Sequence, residues 1–370
     1  MAAAQRFWSR PIRSRLLRLL MTGWLALGVL TLAGLALGWP ADAQPPLRPL
    51  AQVLPAAPGG PLPCLGETRS LILSSGMPYT PVRVQGRTGL FVVDLGADGS
   101  AISPLTFLPG RGAGPQPMAG STDRFEGLDF FGPWGPVRLA VQDHSRIQGP
   151  IPQAGLIGTD LLAGHVITLD YAHGLLHRAE RGAFCSEATL RQAGFAPLSS
   201  RDYYGTTGVP LRCPAAPRRP SCPNIPTIPV RIGRSLAVAQ IDTGYDDGRH
   251  APSININRAW LAELRAAGVQ PKRWPEADLS LSTCVGGSEP VRAYRLPEGL
   301  ALELVGSDGR AVRRLEGATL LLKDTPEAAR SCGGIGTWPQ PAAQLGASVV
   351  NDGTLVVDPF AQRVWFRPGR

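Results

Sequence analysis

Lysine is nearly missing from this chain: Lys272 and Lys323 are the only two in 370 residues, so its positive charge rests on arginine. No basic block stands out beyond the N-terminal segment, which argues against a nucleic-acid footprint and leaves the charge as a solvated surface. Histidine is scarce too, with five, and they form no metal-type cluster. HExxH and CxxC are absent, which excludes the usual zinc peptidase and zinc module. GxSxG and the P-loop are absent as well, so a serine hydrolase of that type and a P-loop nucleotidase fall away. "HGLLH", His173 to His177, has helical i,i+4 spacing but falls in a strand and turn, and is expected on a surface strand. "GRGAGP", Gly110 to Pro115, is Gly-rich but no helix follows it, so it reads as a loop. No metal and no cofactor is expected.

What is abundant is Gly (44) and Pro (37), beside 44% apolar residues. That combination predicts a large core built from many short strands and turns. The length predicts two domains, or one domain with two lobes.

Residues 1–43 read as an export signal. Arginines 6, 10, 13, 15 and 18 precede the uncharged run "LLMTGWLALGVLTLAGLALGW", and "ADA" at 41–43 offers small residues for cleavage. The run is also long enough to span a bilayer, so an uncleaved anchor in the inner membrane is the alternative. Either way the body is expected outside the cytoplasm, periplasmic or secreted. Without this segment the charge is 32 − 27, or +5. Residues 44–63 read as a Pro-rich extended linker.

All six cysteines follow the signal, in a compartment that permits disulfides. Sequence proximity favours Cys213 with Cys222, closing "CPAAPRRPSC"; elimination then pairs Cys64 with Cys185 and Cys284 with Cys332.

The informative feature is an internal repeat. "TPVRVQGRTGLFVVDLGAD" and "IPVRIGRSLAVAQIDTGYD" both start Pro-Val-Arg thirteen residues before an Asp: Pro81 before Asp94, and Pro229 before Asp242. Each predicts a hairpin with a Gly turn (Gly86, Gly233) whose second strand ends at Asp-x-Gly. Downstream, "GLIGTDLLAGHVITLDY" and "QLGASVVNDGTLVVDP" repeat as well, with twelve residues from Gly158 to Asp170 and from Gly346 to Asp358. The second copy is 40 residues longer between its Asp residues, and "NRAWLAELRAAGV" within it predicts a helix with Trp260, Leu261 and Leu264 on one face. Two half-units, each delivering one carboxylate, imply pseudo-two-fold symmetry, with two Asp side chains meeting at the axis.

On these motifs, from about residue 64 to residue 370, the chain resembles the pepsin and retropepsin superfamily of aspartic peptidases in its single-chain form. The resemblance implies an all-β bilobal pepsin-like fold with two pseudo-symmetric retropepsin-like lobes and few short helices. The lobes would be residues 64–200 and 201–370, with a cleft between them and a flap over it. It implies Asp94 and Asp242 as the catalytic pair, supported by Gly96, Thr243, Gly244, Gly158 and Gly346. Two departures stand out. Leu95 occupies a position where the family has Thr, so half of a hydroxyl brace between the loops is lost. Tyr245 is large where the family has a small residue. The flap of the first half is expected in "STDRFEGLDFFGPWGPVRLAV", with Phe125, Phe130, Phe131 and Trp134 lining apolar subsites or filling a hairpin core. Tyr294 is the aromatic in the corresponding part of the second half. The expected activity is endopeptidase cleavage of a polypeptide substrate by a monomer. The alternative is a catalytically silent module that binds peptide in the same cleft.

Overall fold

β-Branched and apolar runs bounded by Gly, Pro and Asn form short strands joined by tight turns. In this computed structural model, the described residues are 61–107, 122–142, 144, 151–202, 225–246, 250, 252–282, 288–332 and 334–369. The export segment, most of the linker, Gly110 to Pro115, and Cys213, Cys222 and Cys284 lie outside them, as does the Cys332 side chain.

Both predicted hairpins form, in the same register. Met77–Val84 pairs with Arg87–Val93, and Pro226–Ile232 with Ser235–Ile241, so that Pro81 faces Leu90 and Pro229 faces Val238. The first turn has φ of 48° at Gln85 and 82° at Gly86, the left-handed pair that a two-residue hairpin turn requires. In each half the second hairpin strand then takes a parallel partner: Gln153–Ile157 in the first, Ala342–Leu345 in the second. That partner in turn pairs antiparallel with a further strand, Ala101–Ile102 or Ser253–Asn257.

The protein is all-β and bilobal. Among the described residues, a seven-stranded sheet belongs to the first half, an eleven-stranded sheet to the second, and a six-stranded sheet to both. The shared sheet carries the symmetry. Val166–Asp170 lies antiparallel to Thr354–Asp358, with Thr168 opposite Val356. Thr168 is ten residues after Gly158, and Val356 ten after Gly346, so equivalent positions of the repeat face each other across the axis. All five residues of Val166–Asp170 are buried. Ala196–Ser199 completes this sheet by pairing with Arg363–Arg367 near the C-terminus.

The helix predicted in the second half spans Arg258–Ala266. The Asn257 side chain caps it by accepting from Trp260 N at 2.9 Å, and Trp260, Leu261 and Leu264 are buried. Cys64 and Cys185 form a disulfide, tying the start of the described chain to the turn after the strand Leu175–Ala179. His177 is in that strand, as expected, but not at the surface. It is buried at 1% exposure, because it faces the strand Val166–Asp170 and approaches Asp170.

Candidate active site

Each half delivers its Asp at the end of a strand that has just left a parallel pairing. Asp94 N donates to Ile157 O and Asp242 N to Leu345 O, both at 2.9 Å. The glycines following those partner strands are packed against the Asp loops. A Cβ on Gly158 would lie 2.8 Å from the Gly99 carbonyl, and one on Gly346 would lie 2.9 Å from Tyr245 O. Thr159 N donates to Ala97 O at 2.9 Å, and Ala347 N to Tyr245 O at 2.8 Å, so the two loops are held by equivalent bonds.

The Asp-x-Gly glycines act twice. Their N–H groups donate to the carboxylate of their own loop, Gly96 to Asp94 Oδ1 at 2.8 Å and Gly244 to Asp242 Oδ1 at 3.1 Å. They also give way to the opposite carboxylate. A Cβ on Gly96 would lie 2.3 Å from Asp242 Cγ, and one on Gly244 would lie 2.3 Å from Asp94 Cγ. No larger residue leaves room for the carboxylates to reach across the axis.

Thr243 spans the two loops. Its Oγ1 donates to Val93 O at 2.6 Å and accepts from Leu95 N at 3.0 Å. Leu95 has no hydroxyl to reciprocate, and its side chain is buried in the core. One half of the brace is therefore present. The Tyr245 ring lies against Gly346 in its own half.

The polar residues behind Asp242 escaped the motif reading. Gln344 Nε2 donates to Asp242 Oδ2, Asn255 Nδ2 donates to Gln344 Oε1 at 3.1 Å, and Gln240 Nε2 donates across to Gly96 O at 3.0 Å. A signal was there: "AQID" and "AQLG" each place an amide in an otherwise apolar strand.

Burial raises both carboxyl groups above the ordinary carboxylate range. Asp94 is pushed well above it, by burial first and then by the charge of Asp242. Asp242 is raised by burial but pulled back by donation from Gln344, then by Asp94 and Gly244, and by the charge of Lys323.

Among solved structures, the chain is similar to basic 7S globulin from soybean. The identity is 11%, with 81% of this chain and 94% of that chain covered and a TM-score of 0.39. No protein-family model and no curated protein matches the sequence.

Of the cleft and core roles open to the first-half aromatics, they take the core, and Tyr294 of the second half is a core residue as well. Phe125 and Phe130 have no exposure, and Phe131 and Tyr294 are 7% and 6% exposed. The hairpin Thr122–Phe125 with Val137–Val141 does form. Its connecting segment, however, is tied down by backbone bonds between Asp129 and Arg83 and by an Arg69–Asp129 ion pair at 2.7 Å. Arg83 faces Thr88, six residues before Asp94, or about 20 Å along an extended strand. The aromatics turn inward because Phe130 and Phe131 stack edge to face, with Arg69 lying over both rings. Trp134 is partly buried against the same core, and its indole donates to Phe130 O at 2.6 Å. A different turn, Ser75–Gly76, lies near the carboxylate end of the hairpin: Asn351 Nδ2 donates to Gly76 O at 3.3 Å, and Asp246 packs on Gly76.

Proposed function

We propose that this protein is an exported aspartic endopeptidase in which Asp94 and Asp242 activate water. The observation that supports the reading most strongly is the crossed packing of Gly96 on Asp242 and Gly244 on Asp94. It brings two carboxyl groups together with donors on each and no room for a third side chain between them. Like charges this close do not both ionise, so the pair holds one proton. The ionised member takes a proton from water as the water oxygen bonds to the scissile carbonyl carbon. The protonated member gives its proton to the carbonyl oxygen, forming a neutral gem-diol. Collapse breaks the C–N bond; the amine nitrogen takes the proton gained from water, and the hydroxyl proton returns to the pair. Neither metal nor cofactor enters this scheme, and the substrate is an extended polypeptide.

The reading also takes the N-terminal 43 residues as an export signal or inner-membrane anchor, which puts the folded part outside the cytoplasm. The Cys64–Cys185 disulfide favours that compartment.

A second reading is a pepsin-fold protein that binds peptide without cutting it. Leu95 favours it, because the loops are braced from one side only. Purified full-length protein incubated with an unfolded protein from about pH 3 to about pH 8 separates the two. Cleavage that both Asp94→Asn and Asp242→Asn abolish supports the enzyme. A folded protein that binds peptide and cuts nothing supports the alternative.

A further inference from the structure

The two halves repeat in register, yet they differ in what stands behind each carboxylate. Two residues before Asp94 is Val92, paired with Leu156, which is two residues before Gly158. In the second half those places hold Gln240 and Gln344, paired in the same register. One residue after the Asp, the first half has Leu95 and the second has Thr243. Three equivalent positions are thus apolar in the first half and polar in the second; of the polar three, Gln240 and Thr243 bond across to the Asp94 loop, and Gln344 is the one that contacts Asp242.

The Gln344 amide is oriented. Asn255, its neighbour across the strand pair, donates to Gln344 Oε1 at 3.1 Å, so the Nε2 end is the one that faces Asp242 Oδ2. Asn255 is itself fully buried at 1% exposure. A donor in this place favours a carboxylate over a carboxylic acid, and buried hydrogen bonds to charged groups are the stronger kind. Nothing equivalent stands at Leu156.

We propose that Gln344, oriented by Asn255, is a positioning residue that places the negative charge of the pair on Asp242 and the shared proton on Asp94. This deepens the endopeptidase reading and rests on it: Asp242 becomes the base toward water, and Asp94 the donor to the carbonyl oxygen. Among the described residues, two charged groups act on Asp242 from the packed elements. Asp94 faces it from the first half, and Lys323 acts from the end of the strand Thr319–Lys323. Lys323 is bound to buried Glu289 at 3.1 Å, and Asp246 on the same loop accepts from Ser348 N at 2.8 Å. The Lys323 charge adds to the effect of Gln344, whereas the amide bond is the direct contact.

The test is to titrate full-length protein carrying 13C at the Asp carboxyl carbons, with Asp94→Asn and Asp242→Asn used to assign the two signals. The lower apparent pKa is expected on Asp242. Gln344→Met, close in shape but without the donor, is expected to raise that lower value by about one unit, a tenfold change in ionisation. Asn255→Leu is expected to move it the same way by less, and carries the test if Gln344→Met does not fold. A lower pKa found on Asp94, or a folded variant in which the lower value stays put, overturns the proposal. The two readings fail separately. A protein that cuts no peptide yet shows the shift keeps the positioning role and loses the peptidase. A protein that cuts, with no shift, keeps the peptidase and loses the role of Gln344.

Discussion

Gly244 packs against the carboxyl carbon of Asp94 so closely that a methyl group in its place would sit 2.3 Å from that carbon. Gly244→Ala, and Gly96→Ala on the other side, are therefore expected to push the carboxyl groups apart. A displacement near 1 Å at reacting groups costs about 100-fold in rate. Peptide cleavage assayed beside a melting curve checks this. Full activity in a folded Gly244→Ala variant would contradict the crossed packing.

Thr243 satisfies two buried backbone groups with one hydroxyl, Val93 O and Leu95 N. Thr243→Val keeps the shape and removes both bonds, with an expected loss of about 3 kcal/mol in urea unfolding. Thr243→Ser keeps the hydroxyl and should recover most of that loss. Equal stability of the Val and Ser variants would show that the brace does not matter.

The pair also sets a sign for stability against pH. Both carboxyl pKa values are raised in the folded protein, so the fold holds the proton more tightly than the unfolded chain does. The contribution is fully present below the ordinary carboxylate value of 3.8 and is lost as pH rises through the folded values. Asp94→Asn removes the group that is raised most. It is expected to melt at a higher temperature than the parent near neutral pH, with the difference shrinking toward acid. A difference that is constant with pH, or reversed, would contradict this.

Asp170 behaves in the opposite way. It lies fully buried in the shared sheet, with His173 Nδ1 at 2.7 Å and Thr354 Oγ1 at 3.0 Å. Burial alone would raise its pKa, but the nearby His177 ring and the bonds to His173 and Thr354 outweigh burial and hold it below the ordinary value. Its contribution is present above 3.8 and is lost as pH falls through the folded value. Removing one partner of a buried pair is costly, so Asp170→Leu is expected to lose about 3 kcal/mol at neutral pH. Denaturant melts at neutral and acid pH test both the size and the sign.

Cys64 and Cys185 are separated by 121 residues, and their link closes most of the first half. A loop of that length constrains the unfolded chain strongly. Replacing both residues by serine is expected to cost about 4 kcal/mol. Guanidinium unfolding with and without reductant checks it; an unchanged midpoint would show that the covalent link adds nothing.

Much of this architecture is legible because repetition leaves a record in one dimension. The equal spacings from Pro81 to Asp94 and from Pro229 to Asp242 become equal hairpin registers, and those from Gly158 and Gly346 become the strands that cross at Thr168 and Val356. The helix at Arg258–Ala266 follows from a local period and a local cap. Such features depend on near neighbours in the chain, and near neighbours are what a sequence displays.

The aromatic run from Phe125 to Trp134 shows the opposite case. Its composition suits a cleft or a core equally well, and contacts far along the chain, the bridge between Arg83 and Asp129 and the Arg69 side chain over the Phe130 and Phe131 rings, decide for the core. Gln344 is the sharper example, since its partners Asp242 and Asn255 lie 102 and 89 residues away. By itself, then, the sequence determined that two like half-units would each end a strand at an Asp-x-Gly. Which side chains surround each carboxylate, and so how unequal the pair becomes, was decided by the tertiary structure. The reason is physical: the field at a buried charge is set by donors and dielectric within a few ångströms, and those neighbours are assembled by folding rather than by order along the chain.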